Sequence, residues 1–308
     1  MTRLRADFLL LTAALIWGTA FVAQKVGNGM IGPILFVAGR FTLSALLLIP
    51  LAWREARNAD APLTRRDWML AGTIGVVLCA LAALQQIGLT ITSVTNAGFI
   101  TSLYIAFVPF VGWLIVRAAI RPLVLGGVAV SLLGAWLLAG HGQPGGLSFG
   151  DILVLISAII TSLHIVLVSL FLKSVHRPFF LSFMQYSVTA VLAGVIGFSV
   201  ETTNWQLAQG ALPTILYAGL LSGGVGFTLQ IVAQRYTPAT EAALIMSLES
   251  VFAAIAAAIL LGERLTMTAA AGCGLVLLGV VMVEVVPLIP GRGPSSDKLP
   301  PLGSVPLD

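Results

Sequence analysis

The chain has 308 residues, of which 58% are hydrophobic and only 9% charged, with a formal net charge of +4. A soluble domain carries about 25% charged residues, so a water-facing globular surface is excluded and the chain is expected in a lipid bilayer. The positive charge could suggest an anionic partner, but where the charges sit says more than their sum.

A helix of about 20 apolar residues crosses a bilayer core. That length predicts ten spans, roughly 7–26, 32–53, 67–87, 94–116, 122–139, 149–172, 178–200, 212–233, 240–261 and 267–287. Pro122, Pro178, Pro213 and Pro238 sit near predicted helix starts, where a missing N–H costs little. No small-residue cleavage site closes the first apolar run, which reads as a retained helix. Cys79 and Cys273 fall inside apolar runs and read as small packing residues. The tail, residues 288–308, is rich in Pro, Gly and Ser and is expected to be disordered.

The stretch Gln85 to Gly134 recurs 145 positions later, at Gln230 to Gly279. Matches include Thr92/Thr237, Thr95/Thr240, Ala97/Ala242, Ser102/Ser247, Leu103/Leu248, Phe107/Phe252 and Gly127/Gly272. With a one-residue slip the echo reaches the start, pairing Asp7 with Asp151 and Leu11 with Leu155. The chain therefore reads as two copies of one unit, residues 7–139 and 149–287. Each copy holds five spans. An odd number forces the second copy to enter the membrane upside down. The expected fold class is an all-α membrane protein of ten transmembrane helices, built as two inverted five-helix repeats. Such repeats are a transporter architecture, with the substrate site near the midplane.

Orientation follows from Lys and Arg. With the N-terminus in the cytoplasm, the inner set is Arg3, Arg5, Arg54, Arg57, Arg65, Arg66, Arg117, Arg121, Lys173, Arg177, Arg235, Arg292 and Lys298. Only Lys25 and Arg264 fall outside, and Arg40 lies within a span. The positive-inside rule then predicts that both termini are cytoplasmic. Trp53, Trp68, Trp113 and Trp136 sit near span ends as interface anchors do; Trp17 sits mid-span.

Polar residues at bilayer depth are costly unless they face protein or a water-filled cavity. Trp17, Phe21 and Gln24 share one face of the first span. Arg40 lies in the second span, Gln85 and Gln86 in the third, and Asn96, Thr101 and Tyr104 in the fourth. The later spans carry His164, Gln185 and Tyr186, Gln230, and Glu241 and Glu249, whereas the fifth and tenth are nearly free of such groups. The repeat pairs Tyr104 with Glu249 and Arg40 with Gln185, and equivalent positions of an inverted pair face a common axis.

The candidate substrate-binding residues are thus Trp17, Phe21, Arg40, Gln85, Tyr104, His164, Tyr186, Gln230 and Glu249. Glu249 suits a substrate amine or a proton, and a hydrogen-bonded packing role competes with that. Arg40 suits a substrate carboxylate, or it clamps helix-end carbonyls. His164 reads as a pore-wall residue or a proton relay. Trp17 and Tyr104 either stack on an apolar substrate or fill the core. Nothing reads as catalytic: H-E-x-x-H, G-x-S-x-G, a phosphate loop and a metal-binding carboxylate cluster are all missing from the sequence. No enzyme activity, cofactor, metal or nucleic-acid partner is expected.

Two stretches carry a resemblance. One is Leu248-Glu249-Ser250-Val251-Phe252-Ala253-Ala254 running to Leu261-Gly262-Glu263-Arg264-Leu265. The other is Ile16-Trp17-Gly18-Thr19-Ala20-Phe21 with Gly39-Arg40-Phe41 in the next span. They resemble the EamA repeat of the drug/metabolite transporter superfamily, over about Asp7 to Val286. Ser250 stands where that family usually shows a proline, and Arg117-Ala118-Ala119 replaces its Gly-Glu-Arg close in the first copy. The resemblance implies a ten-helix carrier, and the nearest-looking subgroup exports aromatic and other neutral amino acids. The expected function is therefore an inner-membrane transporter that exports such amino acids by alternating access and works as a monomer in the lipid bilayer. Import of a vitamin or nucleoside, and a passive channel, stand as alternatives.

Overall fold

A computed structural model describes residues 1–59, 61–117, 122–138, 148–202, 204–263 and 267–284. The expected disordered tail, residues 288–308, lies outside the described residues, as do Arg121, Arg264, Arg292 and Lys298. Every regular element among the described residues is helical. In chain order these are α1 (Arg3–Gly27), α2 (Pro33–Arg57), α3 (Arg65–Ile91), α4 (Val94–Ser102), α5 (Tyr104–Val116), α6 (Pro122–Leu138), α7 (Phe149–Ser174), α8 (Pro178–Val200), α9 (Trp205–Gly210) and α10 (Leu212–Leu216). A π-helical segment (Tyr217–Gly226), α11 (Phe227–Ala233), α12 (Ala239–Met246), α13 (Glu249–Leu260) and α14 (Met267–Glu284) complete the series. Eight helical stretches are long and apolar enough to cross a membrane, and Pro122–Gly134 and Ala270–Met282 are shorter apolar runs. The protein is a multi-pass membrane protein.

Local sequence explains the helix limits. Thr64 and Ser148 open α3 and α7 with full capping boxes, closed by Asp67 and Asp151. Pro33 and Pro178 occupy the first helical position of α2 and α8. The expected spans 94–116 and 240–261 each break at mid-depth, at Leu103 and at Ser247–Leu248. Ser102 Oγ donates to the Phe99 carbonyl, and Ser247 Oγ to the Leu244 carbonyl, both at 2.7 Å. A serine hydroxyl that bonds three residues back competes with the helical ladder and accompanies the break in both halves. The result puts Tyr104 and Glu249 at the first position of the second half-helix in each case.

Packing pairs the helices across the two halves: α2 on α8, α6 on α14, α3 on α7, and α1 on the 212–233 segment. The partners run antiparallel. Glu55, near the C-terminal end of α2, accepts from the Phe179 and Phe180 N–H groups that start α8, at 3.3 and 2.7 Å. Glu201, just after α8, accepts from the Ile34 and Leu35 N–H groups that start α2, at 2.8 and 2.9 Å. In the α6·α14 pair, Gly134 abuts the Gly272 carbonyl while Gly279 abuts the Gly127 carbonyl. Thr92 Oγ1 donates to Asp151 Oδ1 at 2.6 Å, and Thr237 Oγ1 to Asp7 Oδ1 at 2.9 Å. These two bonds lie at opposite ends of the bundle.

One end gathers Arg3, Arg5, Arg54, Arg57, Arg65, Arg66, Arg117, Lys173, Arg177 and Arg235 at or beside helix termini. It is called the basic end below; the other holds Lys25, Asp151, Glu201 and Glu263. Trp53, Trp68, Trp113 and Trp136 are exposed near helix ends, and Arg57 and Arg117 stack over Trp53 and Trp113.

Candidate functional site

A cavity of about 50 Å³ lies at mid-depth between the two halves. At roughly 10–15 Å³ of such volume per water, it has room for a few waters. Trp17, Phe21, Gln24, Arg40, Gln85, Thr101, Tyr104, Thr161, His164, Ser222, Phe227, Gln230 and Glu249 line it. Among the residues expected from the sequence, Tyr186 alone stands off the lining. It packs behind Phe227, at 6.4 Å between ring centroids, and its hydroxyl is 3.4 Å from Thr228 Oγ1.

Arg40 is 4% exposed and Glu249 3%. Arg40 Nη1 donates to Gln24 Oε1 at 2.8 Å, but its Nε has no partner in the protein. Glu249 Oε1 also has no partner. Arg40 and Glu249 form no ion pair with each other, since the ion pairs among the described residues join Arg3 to Asp7 and to Glu241. Tyr104 and Glu249 are near neighbours, yet the Tyr104 hydroxyl makes no hydrogen bond of good geometry. A buried base and a buried acid thus share one small cavity, each with hydrogen-bonding capacity unused. Leaving such groups unsatisfied costs more than an ordinary hydrogen bond gains.

The remaining wall is amide and aromatic. Gln85 Nε2 donates to Thr101 Oγ1 at 3.1 Å, and His164 Nε2 lies 2.8 Å from Gln185 Oε1. Phe227 is the hub of the aromatic side, with Trp17 at 4.7 Å, Phe41 at 6.0 Å and His164 at 6.3 Å between centroids. Phe227 carries no polar atom, so a search for polar groups in apolar spans passes over it. Its spacing to Gln230, i and i+3 on one helix face, was the available signal.

Trp17, misplaced for an interface anchor, turns its indole inward and donates to the Ser222 carbonyl at 3.1 Å. Ser222 belongs to the π-helical segment. Ser44 Oγ lies 2.7 Å from the Gly219 carbonyl of the same segment. Side-chain hydroxyl and indole groups from α1 and α2 therefore reach two carbonyls of this π-helical segment, the Ser44 hydroxyl sharing its one proton between Gly219 and the Arg40 carbonyl 2.8 Å away. Such segments are rare and concentrate at functional sites. The glycines permit the approach: a Cβ on Gly223 would collide with Ser44 Oγ.

Comparison with known proteins decides the family. The model of the EamA-like transporter family matches twice, at residues 4–140 and 148–285. The chain belongs to the EamA-like transporter family. Similar proteins are named as transporters. An uncharacterized transporter of Archaeoglobus fulgidus is 31% identical over 92% of this chain and 86% of its own length. The uncharacterized transporter YwfM of Bacillus subtilis is 21% identical over 91% of this chain and 94% of its own. A solved crystal structure superposes with a TM-score of 0.71 at 20% identity, covering 92% of this chain and 97% of that one, which speaks for the fold alone. The cavity of this EamA-like protein is lined by residues from both matched stretches.

Proposed function

We propose that this EamA-like protein is a secondary transporter of the bacterial inner membrane that exports small zwitterions with apolar side chains, aromatic and neutral amino acids first among them. The single observation that carries the substrate class is that Arg40 and Glu249 line the same cavity, each with a buried polar atom, Nε and Oε1, that has no partner in the protein. Arg40 offers a planar fork to a carboxylate, Glu249 accepts from an ammonium, and Trp17, Phe21 and Phe227 supply an apolar face between them. A phosphorylated substrate would call for several buried cations, and only Arg40 lines the cavity.

The transport cycle is alternating access between two inverted five-helix repeats, ten spans in all. The antiparallel pairing of α2 with α8 and α6 with α14, and the reciprocal Thr–Asp bonds, support that reading. Two related bundles can exchange roles, so a site between them opens to either side at similar energy. A Thr–Asp bond joining the two halves at each end of the bundle favours a carrier over a passive channel. The basic end faces the cytoplasm by the positive-inside rule, with both termini there.

Purified protein in sealed liposomes tests this directly. Radiolabelled L-phenylalanine, L-tryptophan and L-leucine should enter saturably and show counterflow when the lumen is preloaded with unlabelled substrate. Flux without saturation or counterflow overturns the carrier, and failure of every zwitterion tested, with uptake of a nucleoside or sugar instead, overturns the substrate class.

A further inference from the structure

The wall of the cavity is asymmetric in one respect that the substrate site does not absorb. Gln230 lines the cavity, and one turn nearer the basic end Gln234 caps α11. Gln230 Nε2 donates to Gln234 Oε1 at 3.3 Å, which leaves Gln230 Oε1 and Gln234 Nε2 without a partner in the protein. Their residues are only 1% and 5% exposed. On α8, which packs against α11, Gln185 is fully buried; His164 occupies its Oε1 and its Nε2 has no partner. Turning an amide over exchanges its two ends and leaves the same number unsatisfied.

The other half lacks this arrangement. The repeat counterpart of Gln230 is Gln85, which bonds Thr101. The counterpart of Gln234 is Leu89, fully buried against Phe21, Val22 and Val94. Toward the far end, Gln86 Nε2 donates to Asn28 Oδ1 at 2.7 Å and the Asn28 amide returns a bond to the Gln86 carbonyl at 3.1 Å. The polar groups there close on one another, with Gln86 Oε1 left over. Near the basic end, three carboxamides stay half-used.

Resting on the transporter reading, we infer that Gln185, Gln230 and Gln234 form a vestibule through which the substrate passes between the basic end and the cavity, and that Gln234 touches it on the way. A carboxamide both donates and accepts, so a row of them can hand on either charged group of a zwitterion without binding it tightly. Beyond Gln234 toward the basic end, Thr237 is bonded to Asp7, and Arg3 is paired with Asp7 and Glu241; these contacts must part for the vestibule to open.

Cysteine accessibility tests the route without a transport assay. In a Cys79→Ala, Cys273→Ala background, Gln234→Cys should react with a membrane-impermeant methanethiosulfonate applied from the basic-end side of oriented vesicles. Leu89→Cys should stay unreacted from that side. Gln230→Cys, one turn deeper, should react from the same side at a rate about tenfold lower, and serves if Gln234→Cys fails to fold. No reaction of either from the basic-end side overturns the vestibule, even if liposome transport succeeds. Where transport is measured, Gln234→Leu should raise KM from that side about five- to tenfold, the effect of one lost hydrogen bond. An unchanged KM would remove Gln234 from the path.

Discussion

The seams that join the two halves and the cavity between them have fared differently. At the seams the two copies still do the same thing twice. Thr92 bonds Asp151 as Thr237 bonds Asp7, Glu55 caps α8 as Glu201 caps α2, and Gly134 meets α14 as Gly279 meets α6. At the cavity the copies differ. Tyr104 faces Glu249, Arg40 stands where the other half has Gln185, and the straight α3 has a π-helical counterpart in the 212–233 segment. A frame that must close at either end favours like contacts at both. A ligand with unlike groups favours unlike walls.

Breaking the frame should have the largest effect. A Cβ on Gly134 would lie 2.6 Å from the Gly272 carbonyl and 2.7 Å from Leu275 Cβ. Both are on a packed helix, so neither yields by a rotamer change. Gly134→Val should lose folded protein altogether or lower Tm more than any other variant here, as overpacking costs typically 1–3 kcal/mol and more where backbone must move. Fluorescence-detected gel filtration and a melting curve in detergent check it; a Tm within a degree of the parent would mean the α6·α14 seam is not tightly packed.

Changing the walls should spare the fold and lose the function. On the proposed reading, Arg40→Gln and Glu249→Gln each remove one charged hydrogen-bonding partner of the substrate, worth about 1.5–3 kcal/mol, so transport kcat/KM should fall on the order of 10- to 100-fold. Neither charge has an ionic partner among the described residues, so neutralising it relieves burial cost, and Tm should hold or rise. A fall in Tm with normal transport would assign both residues to the frame instead. Glu249→Gln should also flatten the pH profile of uptake if protons are exchanged at this carboxylate; an unaltered profile would place any coupling elsewhere.

The two Thr–Asp bonds offer a finer comparison. Thr92→Val and Thr237→Val each delete one hydrogen bond worth about 1 kcal/mol, at opposite ends. They should bias opening in opposite directions. Labelling of Gln234→Cys from the basic-end side should speed up several-fold with Thr237→Val and slow with Thr92→Val. Equal changes of one sign would show that the bonds do not oppose each other.

The frame was legible in the sequence because it is written twice. Asp7 and Asp151, Thr92 and Thr237, and Gly134 and Gly279 are matched pairs in the sequence itself. The mid-depth breaks were half-legible: Ser102 and Ser247 matched, but a serine in an apolar run does not reveal whether it bonds back to its own helix. The cavity was read from polar residues, which found Arg40, Gln85, His164, Gln230 and Glu249 and overlooked Phe227. Tyr186, expected as an aromatic wall, lies one layer behind the lining, since depth in the membrane does not fix the face a side chain takes. The π-helical segment was hidden because its stabilising donors, Trp17 and Ser44, come from other helices.

The smallest expected effect is also the strictest check on the symmetry of the frame. Glu55 and Glu201 each place a carboxylate on two free N–H groups at the start of the partner helix. Charge at a helix N-terminus contributes about 0.3–1 kcal/mol, and the amide of glutamine keeps one acceptor while losing the charge. Glu55→Gln and Glu201→Gln should therefore each lower Tm by a small and similar amount. Each lies at a different end of the bundle, so an inert frame would show the Tm change and nothing more. A carrier whose halves rock about the α2·α8 seam would instead slow or speed its turnover equally in both variants. Unequal turnover with equal Tm would mean that one end of this seam opens further than the other.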